Sequence, residues 1–164
     1  MHNITGFIVG TEFEQGGITK NGSKMINAVS NSTVPHLTVI VGASYGAGNY
    51  GMSGRAFGTR FTFSWPSAKI AVMGPKQMAG VMSIVQRSAA QRRGETFDED
   101  ANAKRVEAVE HWAEERSAGL FATSRVSDDG MIDPRDTRSV LGIALSACHN
   151  QAVNGTKEYG TWRM

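Results

Sequence analysis

Residues 37–52 read LTVIVGASYGAGNYGM, and this stretch decides the fold. Its first six residues, LTVIVG, are a β-branched run bounded by Pro35 and Gly42. Such a run predicts a buried strand of the parallel kind, which is covered on both faces. The next sixteen residues, 43–58, hold five glycines. A glycine-rich turn leading from a strand into a helix presents backbone N–H groups that lack intrahelical partners. The helix dipole adds partial positive charge there. Such a turn can hold an anion or stabilise an oxyanion, provided small side chains let an oxygen reach the amides. The same glycines also suit a helix packed closely on a sheet, and the pattern alone leaves both readings open. It contains no GxxxxGK[ST] phosphate loop.

Upstream, residues 3–9 (NITGFIV) read as a short strand and residues 10–17 as a loop punctuated by Gly10, Gly16 and Gly17. Ile18, Gly22, Met25, Ile26 and Val29 share one helix face, and Pro35 closes that segment. Downstream, residues 61–65 and 69–73 predict two short strands around Pro66. Met78, Val81, Met82 and Val85 mark a further helix. Residues 86–116 carry six Lys/Arg and eight acids. Val106, Val109 and Ala113 give them a narrow apolar stripe, so they read as an exposed amphipathic helix. A turn-rich connector, 125–133, leads to Asp133-Pro134, an N-cap and a first-turn proline, and then to a helix through Val140, Leu141, Ala144, Leu145 and Cys148. Alternating strands and helices predict an α/β layered fold.

The whole chain, 164 residues with 40% apolar and 20% charged positions, has the size and composition of one folded domain. A single cysteine excludes a disulfide framework and a cysteine-based zinc site. No apolar run approaches the length of a membrane helix, and residues 1–10 lack the charged and apolar regions of a secretory leader. Residues 1–85 hold six Lys/Arg against two acids, Glu12 and Glu14. No basic run carries interleaved aromatics, so nucleic-acid binding finds no support. Ser44 follows a strand, but its surroundings are not GxSxG and no histidine stands at a signature spacing, so it reads as structural. Asp128, Asp129, Asp133 and Asp136 read as turn and capping residues rather than metal ligands. Cys148 and the eight methionines read as core, and His111-Trp112 as packing or plain surface.

Several long segments, in order, carry a resemblance. They are TGFIVGTEFEQGGITKNGSKMINA, VPHLTVIVGASYGAGNYGMSGRAF, WPSAKIAVMG, DDGMIDPRDTR and the terminal YGTWRM. They resemble the carboxyltransferase (β) subunits of biotin-dependent acyl-CoA carboxylases. Gly48-Asn49-Tyr50-Gly51-Met52 and the Arg-Met ending point to the methylcrotonoyl-CoA and geranyl-CoA subgroup. The likeness is weakest over residues 86–118, which read as a charged helical insertion.

The resemblance implies a crotonase-like (ClpP/crotonase) layered domain, truncated at its N-terminal side. Residues 1–164 would be the C-terminal part of the C domain of a longer, two-domain subunit. It implies transfer of a carboxyl group from carboxybiotin, borne on a separate carrier domain, to an acyl-CoA, with no metal in this chain. Carried over by motif, the backbone N–H groups of Ala47 and Gly48 would form an oxyanion hole. Tyr45 and Gly46 would shape the turn, and Phe7, Ile8, Val9 and Gly10 would line the biotin side. Tyr50 would face the acyl group. Implied partners are the N domain, a biotin carboxylase with its biotin carrier, and further copies of the subunit. The implied location is the cytoplasm of a bacterium or the mitochondrial matrix of a eukaryote. The isolated chain would be inactive without the N domain. Two other readings compete: a stand-alone enoyl-CoA hydratase or isomerase, which needs a carboxylate beside the oxyanion turn, and a module that only buries a subunit interface.

Overall fold

The computed structural model describes residues 1–160. Five strands form one parallel sheet: β1 (His2–Ile4), β2 (Leu37–Tyr45), β3 (Phe61–Ser64), β4 (Lys69–Ala71) and β5 (Gly130–Met131). β2 is its centre. On one side it pairs with β1, while on the other β3 takes Leu37–Ile40 and β4 takes Ala43–Tyr45. β3 and β4 thus run one after the other along the same edge, interrupted where Pro66 cannot donate to a ladder. β5 extends the sheet beyond β3 through Phe63↔Gly130 and Ser64↔Met131.

Among the described residues seven α-helices accompany the sheet: α1 (Thr11–Gln15), α2 (Ile18–Asn31), α3 (Gly46–Gly51), α4 (Pro75–Arg93), α5 (Glu99–Ser117), α6 (Gly119–Ser124) and α7 (Thr137–Cys148). The α/β layered expectation holds. So do the central strand, α2 and the Asp133 cap, whose carboxylate accepts from the Arg135 N–H at 2.8 Å. Buried apolar residues are Val39 and Ile40 of β2 and a set of alanines from the helices, among them Ala79, Ala113 and Ala122. Thr38, Ser44, Thr62 and Ser64 are buried beside them. Small side chains let helices and strands approach closely, so the core is dense rather than bulky.

Several expectations change. The first strand ends at Ile4, because Gly6 and Gly10 adopt φ of 114° and 128° and turn the chain away. The glycine-punctuated loop 10–17 contains the one-turn α1. Residues 86–118 are not one helix. They comprise the end of α4, a left-handed corner at Gly94 (φ 69°), α5 beyond it, and Ala118. Met1, Met25, Met52 and Met82 are exposed rather than core. Cys148 is half-buried beside a cleft rather than in the interior. Of the terminal YGTWRM of the resemblance, residues 161–164 lie outside the described residues.

Candidate functional site

β2 hands over to α3 at Gly46. Pairing of Tyr45 with Ala71 brings the following strand end so close that a side chain at Gly46 would meet the Val72 carbonyl oxygen at 2.7 Å. Gly46 also has φ of 55°, the left-handed region that glycine tolerates without steric cost. Helix α3 starts there, and no side chain caps its first turn. Ala47 and Gly48 therefore carry amides of the type that find no partner inside a helix.

Both ends of this short helix are anchored. The Met52 carbonyl can only accept, so His2 donates to it from Nε2 at 2.7 Å. Nδ1 of His2 is then an acceptor, and the Ser44 hydroxyl donates to it at 2.9 Å. Ser44 Oγ in turn accepts from the Asn49 amide at 2.8 Å. Burial holds the His2 imidazole below the usual histidine range, consistent with a neutral ring. Ser44 is fully buried and its hydroxyl is engaged in both directions, which fits the structural role read from the sequence. A second histidine secures the next corner: His36 bonds the Ser53 hydroxyl at 2.6 Å and the Ser32 hydroxyl at 3.0 Å.

Beside the junction lies a largely apolar cavity of about 330 Å³. It brings Ala47, the first-turn residue of α3, together with Phe7, Ile8 and Val9, forty residues away in sequence. The remaining predicted residues are placed otherwise. Gly10 is the left-handed entry to α1. Gly48 is buried, with Ile4 and Gly6 where its side chain would be. Burial raises the Tyr45 phenol above its usual range. Tyr50 is exposed and meets Phe57 edge-on at 5.7 Å, away from the cavity lining.

Sequence reasoning did not assign Glu14, Thr19 and Ser23 to this cavity, nor Ile18, Gly22 and Ile26. The signal for the last three was present. They form the i, i+4, i+8 face of α2, which faces the cavity instead of a sealed core. A larger cleft of about 890 Å³ lies between residues 150–157, Arg60 and Cys148, and none of the predicted site residues lines it.

Gly46, Gly48 and Gly51 also have the GxGxxG spacing of a dinucleotide loop. Packing accounts for all three. A side chain at Gly51 would meet Met25 Cε at 2.6 Å, and those at Gly46 and Gly48 would meet Val72 and Ile4. No acid follows within the next forty residues to hold a ribose hydroxyl.

A parallel sheet whose central strand passes through a glycine turn into a short helix, beside an apolar cavity, defines a crotonase-like layered α/β domain. The family model for the carboxyl transferase domain matches residues 1–160, so the chain belongs to that family. It is 56% identical over its full length to a probable biotin-dependent acyl-coenzyme A carboxylase beta2 subunit of Mycobacterium tuberculosis, of which it spans 31%. It is 45% identical to a probable mitochondrial methylcrotonoyl-CoA carboxylase beta chain of Drosophila melanogaster, spanning 28% of that protein. Among solved structures, the geranyl-CoA carboxylase beta subunit of P. aeruginosa superposes with a TM-score of 0.84 at 42% identity, covering 98% of this chain and 30% of that one. The chain thus spans under a third of the length of these relatives.

Proposed function

We propose that this chain is the biotin-side part of a carboxyltransferase subunit, the C-terminal part of its C domain, and contributes to carboxyl transfer from carboxybiotin to an acyl-CoA of the 3-methyl-enoyl type. The observation that carries the reading is the meeting of Ala47 with Phe7, Ile8 and Val9 around one apolar cavity. Biotin, delivered in carboxylated form on a carrier, supplies an activated carboxyl group and a ureido oxygen on which negative charge gathers.

The residues present suit that group. The Ala47 and Gly48 amides, set at a helix start, favour an oxygen bearing negative charge. Phe7, Ile8 and Val9 offer a ring beside those amides an apolar surface to lie against. The alanine methyl at position 47 leaves room for a ring to approach the amides. No side-chain base enters this reading. The partners we infer are the rest of the subunit, a biotin carboxylase with its biotin carrier, and further copies of the chain. In support, Ile84, Leu120 and Ile143 are more than 60% exposed and await cover.

The test uses a chimeric subunit, in which this chain replaces the matching segment of the M. tuberculosis relative. Carboxyl transfer is followed with labelled bicarbonate and methylcrotonoyl-CoA. The chimera turns over and the chain alone does not. Ala47→Val keeps the amide but places two methyls in the cavity. It weakens binding of free biotin by roughly tenfold, on the scale of an overpacked contact, and leaves acyl-CoA binding unchanged. Loss of acyl-CoA binding with biotin binding intact would overturn this assignment of the turn.

A second reading, an enoyl-CoA hydratase or isomerase, has one observation in its favour: Glu14, a carboxylate, lines the cavity beside Ala47. It requires the chain to hydrate or isomerise an enoyl-CoA unaided, which a direct assay decides.

A further inference from the structure

Helix α3 is six residues long, and three of them, Gly46, Gly48 and Gly51, are glycine. A helix of that length and composition does not hold its own shape, because its nucleus costs more than so few bonds return and glycine adds backbone entropy. Something outside it must set its direction. One chain of hydrogen bonds leaves α3 and comes back to it. Asn49 of α3 donates from Nδ2 to Ser44 Oγ of β2 at 2.8 Å. Ser44 passes its own hydrogen to His2 Nδ1 of β1 at 2.9 Å, and His2 Nε2 donates to the carbonyl of Met52, just past the far end of α3, at 2.7 Å. All three bonds run in the same direction, so each polarises the next. Ser44 and His2 are buried and Asn49 is half-buried. The Asn49 amide also uses the space that Gly54 leaves, since a side chain at Gly54 would overlap Asn49 Oδ1.

We infer that Asn49 is a positioning residue for carboxyl transfer. The inference rests on the biotin reading above and deepens it. The bond from Asn49 to Ser44 closes a ring over residues 45–48, and the amides of Ala47 and Gly48 lie within that span. It fixes the angle at which β2 hands over to α3, and so the direction in which both N–H groups point. Hydrogen bonds weaken steeply as they bend, and an oxygen that gathers negative charge loses most by it. A misplacement of about 1 Å can cost a hundredfold in rate. An oxygen that carries little charge feels the same displacement far less. Asn49 therefore acts on the rate of transfer and not on the affinity for substrate. It is not among the residues lining the cavity, so it works through the two amides rather than on a ligand.

The test is steady-state carboxyl transfer by the chimeric subunit in the reconstituted holoenzyme, with labelled bicarbonate and methylcrotonoyl-CoA. The forms compared are the unsubstituted chain, Asn49→Ala, Ser44→Ala, the double variant, His2→Leu and His2→Gln. Asn49→Ala lowers kcat by about tenfold to a hundredfold, somewhat less than outright deletion of an oxyanion donor. It leaves KM for methylcrotonoyl-CoA within about twofold. Ser44→Ala lowers kcat at least as much, and adding Asn49→Ala to it costs nothing further, because both break the same bond. His2→Gln recovers most of the turnover lost in His2→Leu, since a glutamine amide ends in one acceptor and one donor group, as neutral imidazole does. A role in folding alone would leave kcat per folded molecule unchanged in every variant, with folded protein counted by near-ultraviolet circular dichroism of the same samples. Undiminished kcat in Asn49→Ala, a rise in KM in place of the fall in kcat, or multiplicative losses in the double variant overturns the positioning role and leaves the cavity assignment standing. An unsubstituted chimera that binds acyl-CoA yet transfers no carboxyl group overturns the biotin reading, and the role of Asn49 with it.

Discussion

The β2–α3 junction and the α4–α5 pair are held in place by different means. At the junction, small polar side chains are buried and bonded to one another: His2 to Ser44 and Met52, Ser44 to Asn49, and Thr38 to the Ser53 carbonyl at 2.7 Å. The α4–α5 pair is held by contact between its two helices and by surface ion pairs, Arg87 with Glu99 on the outside and Lys69 of β4 with Glu114. Its apolar residues Val81, Met82, Ile84 and Val85 are exposed. Buried hydrogen bonds have directions and fix positions, whereas surface charge and apolar contact allow sliding. The segment proposed to stabilise charge is built from the directional kind.

Three substitutions sharpen this contrast, in descending order of effect. Gly46→Ala puts a side chain at φ of 55° and against the Val72 carbonyl oxygen. It destabilises the chain by about 2–4 kcal/mol in urea unfolding, from left-handed strain plus overlap. An unchanged midpoint would mean that the turn relaxes, and the junction would not be the rigid region.

His2→Leu is next. It leaves the Ser44 hydroxyl and the Met52 carbonyl without their partner and costs about 2 kcal/mol. The same histidine sets a pH dependence. Burial holds its folded pKa below the ordinary histidine value of about 6.5, so the unfolded chain binds the extra proton first. Stability contributed by neutral His2 is full above about pH 6.5 and is lost as pH falls toward the folded pKa. Urea midpoints at pH 7.5 and 5.5 differ less in His2→Leu than in the unsubstituted chain. Equal differences would remove His2 from the network.

The smallest change in stability is expected in the α4–α5 pair. Ile84→Lys shifts unfolding by no more than about 0.5 kcal/mol, because the side chain is 66% exposed. Its effect is on association: sedimentation of the substituted chain gives a lower average mass, if this apolar face is one that the assembly covers. A large loss of stability instead would place Ile84 in the fold's own core.

Segments with strong local chemistry were legible in the sequence. β2 follows from a β-branched run, α2 from its apolar period, and the turn into α7 from Asp133-Pro134. Other parts had no local signal. β5 is two residues long, and it is set in place because Asp128 accepts from Ser64 at 2.5 Å and from Thr123 at 2.8 Å, while Asp129 accepts from the Thr62 N–H at 2.8 Å. The sequence shows those acids only as turn residues. Gly94 lay in full view within the charged stretch, yet a glycine inside a helical pattern marks an end only when the chain reverses there. The methionines misled because hydrophobicity says that a residue can be buried, not that something is there to bury it.

The site divides in the same way. The glycine turn after β2, its small residues and its helix were determined by the sequence, because φ preference and close packing are properties of residues and their immediate neighbours. Only the tertiary structure decided what stands opposite that turn. Residues 7–9 leave β1 at a glycine corner and α2 lines the same cavity with one face, so their meeting with Ala47 depends on how three separate elements are stacked. Local steric rules act over a few residues, while a cavity is a relation between surfaces brought together by the sheet.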